Sequence, residues 1–382
     1  MNKHKELKKF TVNNIKNSKE MDLRIKVMLA LSLIAITASI ALLQAQNHNP
    51  SRVSEKSHLM FRTWLQRHKK SYTTPEELDY RLSVFSKNLE QVKKEQNEAT
   101  LHKVGLNQFM DLTLEEYNAA YATYPSMLSA ISKSVTKVEK SEKYEKLVTD
   151  FDARLSLARA QLTAQTSVDW RKNGSVSPVI NQKTCSASWA SSVVASAESA
   201  YWYTHQDRLT PLSIQQLIDC VPPPNGCQGG FAYPGFVYIA KNGLQASSSY
   251  PFTARQQPCN FSQKKVILTV GGSKALNQNS GATLQAGVAT TVVSVTLDAG
   301  FRFYQSGVYN GTCGNGAGAR VGGAVVGFGV DGASTGYWIV KMSYGVGWGE
   351  SGYIRIFRQT ANGGGTGRGV CGILTNPIVA LA

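Results

Sequence analysis

Hydrophobic residues are spaced differently in successive stretches of this chain. From Val27 to Leu43 they form an almost unbroken run, with Arg24 and Lys26 before it and Ala45 after it. A basic flank, an apolar centre and a small residue for cleavage predict a secretory signal peptide within a leader, residues 1–45. A signal anchor stays open, because the run approaches membrane-spanning length. From Leu59 to Tyr117 the spacing is helical. There Glu77, Arg81, Phe85, Asn88, Val92 and Gln96 recur at three- and four-residue steps, along one side of a helix. Residues 119–165 are rich in lysine, serine and alanine and read as a linker, partly helical or disordered. Trp189, Val193, Ala197 and Tyr201, with Val194 and Trp202 beside them, make a broad apolar stripe and predict a buried helix. Pro211 and Ser213 start a second helix that ends at Cys220, and Phe231 to Asn242 reads as a third, stopped by Gly243. From Val266 onward the runs are short and β-branched or aromatic (TVVSVTL, AVVGFGV, GYWIVKMSY, YIRIFR), which predicts strands. A helical half followed by a strand half is an α+β arrangement.

Composition narrows this picture. A chain of 382 residues holds one large domain and an appendage. The formal net charge is +16, but much of it lies in the leader and before Trp170. No lysine–arginine stripe with interleaved aromatics follows, so a nucleic-acid partner is not expected. Six cysteines occur at Cys185, Cys220, Cys227, Cys259, Cys313 and Cys371, none in a CxxC pair, so neither a zinc site nor another cofactor is expected. An even cysteine count behind a leader fits an oxidising compartment. Asn173, Asn260 and Asn310 head N-x-[ST] sequons, compatible with secretion.

The stretch NQKTCSASWA, Asn181 to Ala190, resembles the active-site loop of papain-like cysteine peptidases. That family reads C-G-[SA]-C-[WY] there, with a His and an Asn about 130–150 residues downstream. Here the five residues are Cys185, Ser186, Ala187, Ser188 and Trp189, so a serine stands at the nucleophile position. The family's (D/H)HAV strand matches VGGAVVGFGV, Val321 to Val330, with Gly322 and Gly323 for the acidic residue and the histidine. Its KNSWGxxWGExGY run matches KMSYGVGWGESGY, Lys341 to Tyr353, with Met342 for the orienting Asn and Tyr344 for the Trp that covers it. Upstream, the stripe from Glu77 to Gln96 resembles the ERFNIN pattern of the family's propeptides. Gly105, Asn107, Phe109 and Asp111 match their GxNxFxD motif.

The resemblance implies a two-lobed papain-like fold, a helical lobe plus a β-barrel-like lobe. It implies a propeptide over residues 46–165, with an inhibitor-type helical domain at 59–117, and a peptidase domain over 166–382 that opens with SVDWR, Ser167 to Arg171. It selects the disulfides Cys185–Cys227, Cys220–Cys259 and Cys313–Cys371 from fifteen possible connectivities. It assigns Gln182 to the oxyanion hole and Gln228, Gly229, Gly230 and Tyr344 to the cleft walls. The partners it implies are a peptide or protein in the cleft and the chain's own propeptide, with a membrane contacted only by an uncleaved signal peptide. The compartment it implies is extracellular or lysosomal/vacuolar.

The family's chemistry needs a thiolate and an imidazole. A serine hydroxyl is a poor nucleophile unless a base takes its proton. A helix N-terminus contributes at most about 2 kcal/mol, roughly 1.5 pK units, which cannot ionise an alcohol. After Thr166 the only histidine is His205, about 25 Å from Ser188 along the same helix. Strand alternation points Lys341 away from the face that carries Met342, which argues against a Ser–Lys pair. The expectation is therefore a non-catalytic relative that acts by binding. The alternative is an endopeptidase that uses Ser188. Whether Ser188, Gly323 and Met342 merely pack or reshape the cleft for a ligand stays open.

Overall fold

The structure is a computed structural model that describes Met28 and residues 53–123, 141–161, 167–205, 209–222, 225–313, 318–332, 334–359 and 367–382. The expected signal segment therefore lies, but for Met28, outside the described residues. Among the described residues no helix is long and apolar enough to cross a membrane. Residues 1–62 form one compact unit and residues 63–382 another. The first holds, as described, the opening turns of α1 (Glu55–His68).

In the second unit, α2 (Pro75–Glu98) starts where Thr74 accepts a hydrogen bond from the Glu77 N–H and proline fills the first turn. It buries Leu82, Phe85, Asn88, Leu89 and Val92, the face expected from the sequence. The helical pattern expected as far as Tyr117 is broken by β1 (His102–Val104) and a turn. In that turn the Asn107 side chain accepts from the Phe109 N–H at 3.1 Å and donates to the Arg302 carbonyl at 2.7 Å. These local and long-range bonds displace the helix, as asparagine does when it offers the backbone another partner. Helix α3 (Leu114–Tyr121) then opens with a reciprocal capping box between Thr113 and Glu116. Part of the stretch read as a linker is a regular helix, α4 (Glu142–Gln161).

Helix α5 (Ser188–His205) is buried on every side through its first three turns. It forms a core with α6 (Ile214–Cys220) and α7 (Ala232–Asn242). Ser213 caps α6, and Gly243, at φ +74°, ends α7 in a conformation that glycine tolerates best. Both helices stand where the sequence placed them.

The second core is built on a sheet of β1, β2 (Val168–Asp169), β5 (Gly272–Ala275), β6 (Val293–Asp298), β7 (Tyr304–Tyr309), β8 (Arg320–Asp331), β9 (Thr335–Lys341), β10 (Tyr353–Phe357) and β11 (Ile378–Leu381). The order is β1-β7-β10-β9-β8-β6-β11-β5, with β2 added on β8; the β7–β10 pair is parallel and the other pairs antiparallel. A separate ribbon joins β3 (Leu244–Gln245) to β4 (Val266–Leu268). Helix α8 (Gly281–Thr290) interrupts what the sequence suggested was strand throughout. Ser280 caps it, and it buries Leu284, Ala286 and Val288. The disulfides join Cys185 to Cys227, Cys220 to Cys259 and Cys313 to Cys371, the pairing that the resemblance implied.

Candidate functional site

The loop Asn181–Ser188 is tied down before it enters α5. The Asn181 side chain accepts from the Lys183 N–H at 2.9 Å and holds Lys183 at φ +52°. Gln182 is fully buried: its N–H donates to the Ser343 carbonyl at 2.8 Å, and its Oε1 accepts from the Ser343 hydroxyl. Its Nε2 has no partner among the described residues. The Cys185–Cys227 disulfide and the bond from Ser186 N–H to the Cys227 carbonyl, 2.9 Å, fix the turn into Ser188.

Ser188 is the first residue of α5 and is 1% exposed. Its Oγ accepts a hydrogen bond from the Gly322 N–H at 3.0 Å. Among the described residues no imidazole, ammonium or carboxylate bonds to this oxygen. His205 sits at the far end of α5, stacked on Tyr201 with its Nδ1 3.0 Å from the Tyr201 carbonyl. Lys341 donates to Ser177 Oγ at 3.0 Å and faces the carboxylate of Glu198, ten residues along α5 from Ser188. Burial raises the Glu198 pKa and lowers that of Lys341, while each charge opposes the shift of the other.

Ser188, Gly323 and Met342, singled out from the sequence, are not gathered at one point. A Cβ added to Gly322 would lie 2.5 Å from the Ser188 carbonyl oxygen and 2.9 Å from Trp189 Cα. One added to Gly323 would point the other way, 2.7 Å from Val340 Cγ1 and 3.5 Å from Met342 Sδ. Successive residues of β8 face opposite sides, so Gly322 turns toward Ser188 while Gly323 and Met342 adjoin each other. Met342 is 1% exposed within the sheet core.

The cleft beside Ser188 is filled by the chain itself. Thr123 pairs with Arg320 on β8 through two backbone bonds of 2.7 and 2.9 Å. Its hydroxyl accepts from the Gly230 N–H at 3.0 Å and reaches the Gly230 carbonyl at 3.3 Å. Ser186 Oγ donates to the Ala122 carbonyl at 2.9 Å. Gly229, at φ +110°, has no room for a side chain: a Cβ there would stand 2.4 Å from Thr123 Oγ1. Gln228 is exposed beside them. The space left over is a cavity of about 10 Å³ lined by Thr123, Trp189, Gly230, Phe231, Val321 and Gly322, room for roughly one water.

Tyr344 is almost wholly covered. Phe109, Tyr117 and Tyr121 pack around its ring at centroid distances of 5.3, 6.4 and 5.7 Å, and Trp348 closes the far side at 5.0 Å. Tyr117 Oη donates to Tyr344 Oη at 2.9 Å, and Gln108 donates to the Tyr344 carbonyl at 2.7 Å. Burial pushes both phenol pKa values well above the ordinary value. β1 adds to β7, so this segment extends the sheet as well as plugging the surface.

The model of the family described as "Papain family cysteine protease" matches residues 164–381, and that described as "Cathepsin propeptide inhibitor domain (I29)" matches residues 61–117. The chain belongs to the papain family. It is 34% identical to Cysteine protease XCP2 of Arabidopsis thaliana over 361 residues, 91% of this chain and 95% of that protein. Papain of Carica papaya is 32% identical over 335 residues, 86% and 88% of the two chains. Among solved structures, recombinant stem bromelain precursor matches with a TM-score of 0.70 and 29% identity over 85% of this chain and 99% of that one. Digestive procathepsin L 3 of Tenebrio molitor larval midgut matches with a TM-score of 0.67 and 28% identity, over 86% and 100%. The papain-like fold and the I29 propeptide, as a partner of the chain's own peptidase domain, are thereby established.

Several residues of this papain-family site escaped sequence reasoning. Ala122 and Thr123 carried no signal of their own in spacing or composition; only the family resemblance implied that the propeptide runs on from residue 119 through the cleft. Tyr117 and Tyr121 did carry one: two aromatics four residues apart next to a Phe109 already singled out.

Proposed function

We propose that this papain-family chain acts by binding peptide or protein segments, and that it does not hydrolyse them efficiently. The observation that supports the reading is the environment of Ser188 Oγ, whose bonded neighbour is the backbone N–H of Gly322. An N–H donor cannot accept the proton that a serine nucleophile must lose. On this reading Ser188, Gly323 and Met342 occupy the family's nucleophile, base and orienting positions without its chemistry. Gln182, Gln228, Gly229, Gly230 and Tyr344 keep the cleft's form. The ligand takes the place now held by Ala122 and Thr123 once another protease has cut the propeptide there. The propeptide, roughly residues 46–165, persists unless another protease cuts it, and the protein travels the secretory route to an extracellular or lysosomal/vacuolar destination. Purified protein incubated with a broad peptide library is expected to show no turnover above a Ser188→Ala variant. Turnover abolished by that substitution would overturn the reading.

A slow serine hydrolase is the second reading, and one observation favours it. Gln182 Nε2 is buried without a partner among the described residues, as a donor kept for an oxyanion would be. A fluorophosphonate probe that labels the wild type and spares Ser188→Ala would select it.

A further inference from the structure

Helix α4 lies at Glu142–Gln161, between the stretches that the two family models match, which end at 117 and resume at 164. Its sequence carries an apolar stripe, Tyr144, Leu147, Val148, Phe151, Leu155 and Ala158, at three- and four-residue steps. Ser141 caps its first turn by accepting from the Tyr144 N–H, and Glu142 and Glu145 complement the N-terminal dipole. The stripe is turned into the sheet core: Phe151 is 1% exposed and Leu155 7%.

Its neighbours are α8 and β11 of the peptidase domain. Arg159 donates to Thr283 Oγ1 on α8 at 2.8 Å, Lys274 on β5 pairs with Asp152 at 3.0 Å, and the Tyr144 hydroxyl donates to the Ser273 carbonyl at 3.2 Å. Arg154 lies over the ring of Tyr203 on α5, 5.1 Å from its centroid, which links the helical lobe to the same helix. The receiving surface is shaped for it. A Cβ on Gly271 would stand 2.0 Å from Leu147 Cδ1, and one on Gly272 would stand 2.8 Å from the Tyr144 ring.

We propose that the face formed by α8, β5 and β11 is a helix-docking surface whose occupant is α4, so that α4, though it lies within the stretch 46–165 read as propeptide, belongs to the peptidase body and not to the removable part. The chain across the cleft is then held upstream by the I29 domain and downstream by a separate dock. Removing the residues up to Thr123 leaves α4 in place. A protein trimmed at residue 166 loses the apolar cover of α8.

The test uses the full chain with one recognition sequence for a site-specific protease between Thr123 and Glu142 and another between Gln161 and Ser167. After both cuts, gel filtration with mass spectrometry is expected to find the 142–161 peptide with the 167–382 body. Phe151→Ala with Leu155→Ala is expected to release that peptide and leave the N-terminal piece attached. Leu157→Ala, at a residue 65% exposed, is expected to retain it. Separation of the peptide from the twice-cut wild type would overturn the proposal, as would equal retention by the Phe151/Leu155 variant. Should the double variant fail to fold, the twice-cut wild type alone decides.

Discussion

Replacing Gly322 by alanine tests whether α5 and β8 meet backbone to backbone beside Ser188. The added Cβ would stand 2.5 Å from the Ser188 oxygen, 2.7 Å from its carbonyl carbon and 2.9 Å from Trp189 Cα. All three are backbone atoms, so no side chain can rotate away. Either the first turn of α5 or the strand must shift, and the same shift disturbs the 3.0 Å bond from Gly322 N–H to Ser188 Oγ. Overpacking of this kind costs about 1–3 kcal/mol. For a domain of this size that is a fall in Tm of roughly 2–12 °C. The control is Gly347→Ala, where a Cβ meets nothing within 4 Å and the backbone is ordinary; its effect is expected within about 0.5 kcal/mol. Urea titration monitored by tryptophan fluorescence gives both values. A Gly322→Ala protein as stable as Gly347→Ala would refute the close approach and reopen the space in which a base at this strand could reach Ser188.

Three other outcomes are expected. Tyr117→Phe removes the hydroxyl that donates to Tyr344 in a buried site and should cost about 1–2 kcal/mol; Tyr344→Phe should do the same, and in urea titrations the double variant should lose less than the sum of the two. Lys341→Met leaves the buried Glu198 carboxylate without its cation and should destabilise by about 3–5 kcal/mol, with Glu198→Gln on the same chain recovering part of that loss; calorimetry checks both. The third concerns acid. Burial raises the Glu116 pKa, but the Thr113 N–H and the Arg81 guanidinium outweigh it and hold the carboxyl below its ordinary value. A depressed carboxyl stabilises the fold above the unfolded pKa of about 4.3 and loses that contribution as pH falls through the folded one. Between pH 7 and 3, Glu116→Gln should therefore flatten the acid limb of the stability curve, and an unchanged slope would remove Glu116 from the account.

Local spacing made much of the propeptide legible. The stripe from Glu77 to Gln96 finds its partners as a single helical face should. Arg81 binds Glu116 at 2.8 Å, Asn88 donates to the Met110 and Leu112 carbonyls, and Gln96 accepts from the Val104 N–H. The same rule could have revealed α4, whose apolar stripe was present but diluted by lysine, aspartate and arginine. Such a pattern reads equally well as a helix at the surface, and only α8 tells how deeply Phe151 is buried. The short helix at Gly281–Thr290 was hidden for a related reason, because eight of its ten residues are alanine, glycine, threonine or valine, a mix that satisfies strand and helix alike.

The residues themselves determined the helical and strand halves, the caps at Ser213 and Gly243 and the chemistry of each side chain near the cleft. These rest on contacts within a few residues of one another. Tertiary structure alone decided that Gly322 and not Gly323 turns toward Ser188. That parity depends on how β8 registers between β6 and β9, where Val295 lies opposite Gly323, Ala324 lies opposite Lys341, and a register shift follows Val325. A slip of one residue would exchange the two faces. It alone also decided that Thr123, 107 residues before Gly230 in the chain, closes the cleft, because no periodicity along a sequence records which distant backbone will lie across it.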